Sequence, residues 1–139
     1  MERVRNWDIK IVVEIGPLVG SEFVWGKTDC ATILRKTMKV MYGEEVFKDV
    51  ERLRYRSLSG ALKTFKRLGS IGDIIENTGG VVIQPQVVTD GDIAVDDDYK
   101  GVQNVAIRIG SRWIVSNPEL GIVESRRTFA VDKVTMYRI

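Results

Sequence analysis

Apolar and polar positions follow two different periods along this chain, and the change of period divides it. Between positions 28 and 42, Cys30, Ile33, Leu34, Met38 and Met41 recur at helical steps, while Arg35, Lys36 and Lys39 take the opposite face. That spacing predicts an amphipathic helix. Thr28 or Asp29 can cap its start, and Gly43 stands just past its end. A second helix is predicted over 57–68, with Leu58, Ala61, Leu62 and Phe65 on one face and Gly69 as its stop. A short one follows from Ser70 to Asn77, closed by Gly79-Gly80. Residues 5–19 fit a helical face less regularly, through Trp7, Ile9, Ile11, Val12, Ile15 and Leu18. The β-branched run Ile11-Val12-Val13 opposes that helix, and Gly16-Pro17 ends or kinks it.

From Val81 onward the pattern becomes short β-rich runs: Val81–Ile83, Asp92–Val95, Val102–Ile109, Arg112–Val115, Ile122–Glu124 and Lys133–Arg138. Turn signals at Asp90-Gly91, Gly110-Ser111 and Asn117-Pro118 predict an antiparallel meander. Helices followed by strands predict an α+β fold, N-terminal helices packed on a C-terminal antiparallel sheet. The 139 residues suit one domain spanning 1–139.

Composition narrows the chemistry more than the fold. The formal charge is +2, from 21 basic and 19 acidic side chains, so no strong field favours nucleic acid. No apolar stretch approaches the ~20 residues that span a bilayer, so no membrane insertion is expected. Met1 to Arg5 mix charge with apolar residues, unlike the start of a signal peptide, and synthesis in the cytoplasm is expected. The single cysteine excludes an internal disulfide, and with no histidine at all neither a metal site nor a cofactor is expected. Imidazole is thereby excluded as base, proton shuttle or ligand.

The most informative stretch is Phe23-Val24-Trp25-Gly26-Lys27-Thr28-Asp29-Cys30, an aromatic-rich run and a glycine turn leading into a helix whose first turn holds the only thiol. Unpaired amides and the positive end of a helix dipole stabilise a thiolate there, and can donate to an oxyanion. Core packing is an equal reading, because free cysteine is among the most buried residue types and Cys30 begins the apolar stripe of its helix. Asp29 beside it opposes thiolate formation.

Phe-Val-Trp-Gly, a short spacer and Asp-Cys opening a helix resemble the NlpC/P60 cysteine peptidases, and more closely their phage-borne relatives associated with tails. Gly91-Asp92-Ile93-Ala94-Val95 resembles the family's Gly-Asp strand. Asn104-Val105-Ala106-Ile107-Arg108-Ile109-Gly110 resembles its next strand, usually His-Val-Gly-Ile-Tyr-Ile-Gly, with Arg112–Val115 as the hairpin partner. These segments cover most of residues 20–116 in the family's order, and a strand at Thr135–Ile139 suits the phage group. The resemblance implies a papain-like fold, Cys30 as the nucleophile's position and Asp29 as its motif neighbour. It puts Asn104 where the family's general base stands, and the group that orients the base falls near Val115 or Ser116.

An asparagine amide accepts no proton at neutral pH, so Asn104 cannot activate Cys30. Asp92 or the Asp96–Asp98 run is conceivable as a carboxylate base, though with an ordinary pKa near 4 it suits a thiol poorly; three adjacent aspartates before Gly101 read more simply as a solvated turn. Gly26-Lys27-Thr28 resembles the end of a phosphate-binding loop, but Ser21 stands where its first glycine is needed. Arg52, Arg54, Arg56, Lys63, Lys66 and Arg67 read as a solvated face.

The resemblance therefore implies a structural component of a phage or phage-like tail tip or baseplate hub, an inactive peptidase-like domain. Its expected partners are other tail-tip or baseplate proteins and, second, peptidoglycan; its expected place is the host cytoplasm during assembly, then the virion. Exposed apolar strand residues such as Trp113 and Tyr137 are expected to make the protein contacts. The alternative is an active cysteine hydrolase, a peptidoglycan endopeptidase aiding assembly or cell-wall penetration. Cleavage of stem peptides that depends on Cys30 separates the two.

Overall fold

The computed structural model describes residues 2–47, 55–99, 102–118, 121–125 and 134–139. Arg52 and Arg54 of the basic run, and Lys133 at the start of the last predicted strand, lie outside them. The helices are α1 (Trp7–Glu14), α2 (Cys30–Tyr42), α3 (Leu58–Leu68) and α4 (Ile71–Asn77). The strands are β1 (Val81–Ile83), β2 (Ile93–Tyr99), β3 (Val102–Ile109), β4 (Arg112–Asn117), β5 (Gly121–Ser125) and β6 (Val134–Arg138). The fold is α+β, as the change of period predicts.

Local chemistry sets most helix ends. Asp29 caps α2 by accepting from the Thr32 amide, and Gly43 closes it in the left-handed region at φ 74°. Ser57 caps α3, and Ser70 with Asp73 forms a reciprocal capping box on α4. The first segment divides: α1 runs for eight residues, and a 3₁₀ turn with Pro17 follows at Gly16–Leu18. Only part of its apolar set is buried, because the helical period brings Trp7, Ile11 and Ile15 to one side and Ile9, Val12 and Val13 to the other.

All strand pairs are antiparallel, in the order β1-β6-β2-β3-β4-β5. The β3–β4 hairpin turns at Gly110 and Ser111, both at positive φ (57° and 64°), as a tight two-residue turn demands. The expected meander holds for β2 through β5. It fails at the last strand, where β6 enters between β1 and β2 and pairs with both. The turn expected at the acidic run is also corrected. β2 continues through Asp96–Asp98 to Tyr99; Asp96 pairs with Asn104 and Tyr99 with Val102, and the register shifts between those two pairs.

Strand alternation gives the sheet two apolar faces. Ile93, Val95, Val105, Ile107, Ile114, Ile122 and Tyr137 join Ile11, Ile33, Leu34, Met38 and Met41 of the helices in the larger core. Ala94, Ala106, Trp113 and Met136 form a second cluster from the alternate positions. Trp113 and Tyr137, expected to be exposed, are therefore 3% and 7% exposed, one in each cluster. The large apolar side chains left in water include Ile9, Val12 and Val13 of α1 and Val81 and Val82 of β1. Arg56, Lys63, Lys66 and Arg67 are exposed.

Candidate functional site

The turn that presents Cys30 is built from its own polar groups. The Thr28 hydroxyl accepts from the Val24 amide (2.7 Å) and donates to the Glu22 carbonyl (2.7 Å). The amides of Lys27 and Thr28 both reach the Val24 carbonyl. Gly26 turns the chain at φ 79°, and a β-carbon there would collide with the Tyr55 carbonyl oxygen, so glycine is required on both counts. The Ser116 hydroxyl of β4 donates to the Thr28 carbonyl, tying the sheet to the residue before the cap.

Asp29 is 1% exposed and accepts four hydrogen bonds. The Gly26 amide (2.6 Å) and the Thr32 hydroxyl (2.9 Å) donate to Oδ2; the Thr32 amide (3.1 Å) and the Tyr55 hydroxyl (2.7 Å) donate to Oδ1. Every donor is neutral. Tyr55 also packs edge-on between Trp25 and Phe65, at ring separations of 6.2 and 5.9 Å, and Trp25 meets Phe23 at 4.8 Å. The aromatic residues before the cysteine thus continue into a cluster with α3.

Cys30 is 7% exposed, and its thiol is pushed up to about 12, first by burial and then by the charge of Asp29. Three amides act in the opposite sense, those of Val105, Ala31 and Cys30 itself. Their effect is the smaller, so the thiol stays protonated at neutral pH. Burial and the same Asp29 charge also raise the Tyr55 hydroxyl.

The structure brings Cys30 and Asp29 together, and with them the main chain of β3 through Val105. Asn104, the preceding residue, is half-buried and lies opposite Asp96 in the β2–β3 ladder. It shares the strand parity of Ala106, which packs with Trp113 and Met136, rather than that of Val105.

Asp92 is corrected as a base. It is 0% exposed and held by Arg138 through two hydrogen bonds, Nε to Oδ1 at 2.8 Å and Nη2 to Oδ2 at 2.7 Å, with the Thr89 amide on Oδ2 at 2.8 Å. Arg138 also reaches the Val87 carbonyl, and Asp92 raises the guanidinium pKa. A carboxylate so held is structural.

Tyr55 is the residue with no sequence signal, since it lies 26 positions from the carboxylate it meets. Thr32 had one: it stands three residues after the cap, where a side chain can fold back on it. Among the described residues no three Cys, Asp or Glu side chains cluster as a metal site would require, and no helix is long and apolar enough to cross a membrane.

Residues 2–135 match the family described as a domain of unknown function (DUF6950). The chain belongs to that family. In this DUF6950 chain the match takes in α1 through β5, the Cys30 turn and the start of β6. No curated protein shows significant similarity to it.

Proposed function

We propose that this chain is a catalytically silent relative of the NlpC/P60 cysteine peptidases, with a papain-like arrangement reused as a structural part of a phage or phage-like tail tip or baseplate. The observation that carries the reading is the state of Cys30: buried beside Asp29, raised to about 12, in a chain without histidine. A thiol so raised stays protonated at neutral pH, and nucleophilic attack needs the thiolate. The peptidase ancestry is supported by the order of the Trp-Gly, Asp-Cys and Gly-Asp segments. It is supported further by the Val105 amide meeting the Cys30 sulfur, which lays β3 against the cysteine helix, although Asn104 itself takes the parity of the opposite sheet face. Other tail-tip or baseplate proteins are its proposed partners, and the assembled particle its proposed destination.

One observation favours the hydrolase reading, the three amides turned to the sulfur of Cys30. They suit a thiolate or an oxyanion, but burial and Asp29 outweigh them. Alkylation of the native chain at pH 7.5, alongside incubation with peptidoglycan stem peptides, tests the proposal. Cys30 is expected to react at least ~100-fold more slowly than in the unfolded chain, with no cleavage above that of Cys30→Ala. Fast alkylation, or cleavage lost in Cys30→Ala, overturns the silent assignment. Absence of the chain from purified particles, with other tail proteins present, overturns the proposed place in them.

A further inference from the structure

The formal charge of +2 conceals two segregated blocks. Residues 52–72 hold six cations, Arg52, Arg54, Arg56, Lys63, Lys66 and Arg67, and no acid. Residues 73–99 hold seven acids, from Asp73 to Asp98, and no cation. The fold treats the two blocks differently. Asp73 serves the capping box of α4, Asp90 accepts from the Ser111 amide and faces Arg108, and Asp92 holds Arg138. Arg56, Lys63, Lys66 and Arg67 are exposed, and none pairs with an acid among the described residues.

α3 alone gains little from this arrangement. Lys63, Lys66 and Arg67 lie within about 100° of the helix circumference, on the side away from the buried Ala61. Lys63 stands three and four residues before the other two, so both pairs are like-charged neighbours that weaken a helix. Arg56 precedes the Ser57 cap, where the helix dipole disfavours a cation, and the first turn carries no acid to offset it. Only Lys66 and Arg67, in the last turn, suit the dipole. The basic surface extends past the helix. Gly26 abuts the Tyr55 carbonyl, so the exposed Lys27 and Arg56 lie at one junction, and the Lys36 ammonium donates to the Lys27 carbonyl (3.3 Å). Leu62, 37% exposed, adds an apolar contact beside Lys63 and Lys66.

A long polyanion or a membrane fits this face poorly. The net charge is too low for the far field that steers a duplex. The rings of Trp25, Tyr55 and Phe65 pack edge-on against one another rather than standing open as a platform for unpaired bases. One exposed leucine gives α3 no apolar face with which to enter a bilayer. Exposed acids on the flanking segments, Glu22 and Glu76, further disfavour a partner that is negative over a wide area. We propose that the solvent face of α3 docks a short acidic segment of a partner protein. Its carboxylates meet Lys63, Lys66 and Arg67, and an apolar side chain of the same segment covers Leu62. The proposal depends neither on the chemistry at Cys30 nor on the chain's place in a particle.

Fluorescence anisotropy on the full chain tests it, with a labelled peptide of about twelve residues that repeats Glu-Glu-Leu, at about 50 mM salt. Saturable binding is expected, weaker at about 500 mM salt and about tenfold weaker for Lys63→Glu combined with Lys66→Glu. Leu62→Ser is expected to weaken binding about threefold at either salt. Arg5→Glu combined with Lys10→Glu makes the same change in net charge at exposed positions before and on α1, and is expected to leave binding unchanged. All five positions are exposed, so helical circular dichroism should match the natural chain throughout. Absence of saturable binding, equal losses in the two double variants, or indifference to Leu62→Ser overturns the proposal. So does tighter binding of an oligothymidine or of anionic vesicles than of the peptide.

Discussion

Asp29 and Asp92 are both sealed from water, at 1% and 0% exposure, and their partners differ in kind. Asp29 is satisfied by amides and hydroxyls, whereas Asp92 is held by the Arg138 guanidinium. Neutral donors stabilise a carboxylate without cancelling its charge, so the field of Asp29 spreads to its neighbours and raises both Cys30 and Tyr55. A guanidinium at hydrogen-bond distance cancels most of that field, and the main recorded effect of Asp92 is on Arg138 itself. One aspartate sets the chemistry of its surroundings, and the other joins β2 to β6.

The largest expected effect comes from removing the neutrally solvated carboxylate. Asp29→Ala deprives Gly26, Thr32 and Tyr55 of their acceptor and α2 of its cap, and should lower stability by about 4 kcal/mol in urea unfolding. A loss below about 1 kcal/mol would mean that water replaces those donors and that the site is more open than the burial implies.

A somewhat smaller loss, about 3 kcal/mol, is expected for Asp92→Ala, because Arg138 is 36% exposed and can turn to solvent. Arg138→Ala leaves the buried carboxylate without a cation, held by the Thr89 amide, and should cost a similar amount. The double variant should then fall short of the summed losses by about 2 kcal/mol in a double-mutant cycle. Additive losses would show that the ion pair contributes nothing as a pair, and would erase the contrast with Asp29.

The smallest effect is a pH dependence. The folded-state pKa of Cys30 lies above its unfolded value, and the ionised form is the disfavoured one. The unfolded chain therefore releases the proton first, near pH 9, while the folded chain keeps it until about 12. Stability from this group is complete below pH 9 and falls between pH 9 and 12, by about 1 kcal/mol at pH 10. The difference in unfolding free energy between the natural chain and Cys30→Ala should narrow or reverse by that amount from pH 7 to pH 10. A pH-independent difference would mean that Cys30 ionises as freely when folded as when unfolded.

What was legible in the sequence was local. α2 with its Asp29 cap, the glycine turn at Gly26 and the hairpin at Gly110-Ser111 all follow from residues within a few positions of one another. Tyr55 was not legible, because its hydroxyl meets Asp29 through tertiary packing and no spacing rule joins position 55 to position 29. The place of β6 was hidden for the same reason: strand order is a long-range property, and a meander is only the simplest order consistent with short turns. Trp113 was misjudged as a contact residue because its strand position faces away from the helices. A second apolar cluster, with Met136, Ala94 and Ala106, covers that side. The acidic run 96–98 reads as a turn by composition, yet it lies within β2, where the register against β3 shifts between the Asp96 and Tyr99 pairs.

The position of β6 also decides which pairings are open to the chain before its last strand is made. β2 through β5 follow one another in the chain and pair with their immediate neighbours, so that meander can zip as soon as residue 125 is available. β1, although made before any of them, pairs only with β6 in the described sheet, and therefore waits for residues 134–138. Asp92 waits too, its carboxylate without a cation until Arg138 arrives. During vectorial synthesis the open side of β2 and the unpaired β1 are thus the surfaces exposed to mispairing, and the arrival of one five-residue strand closes both.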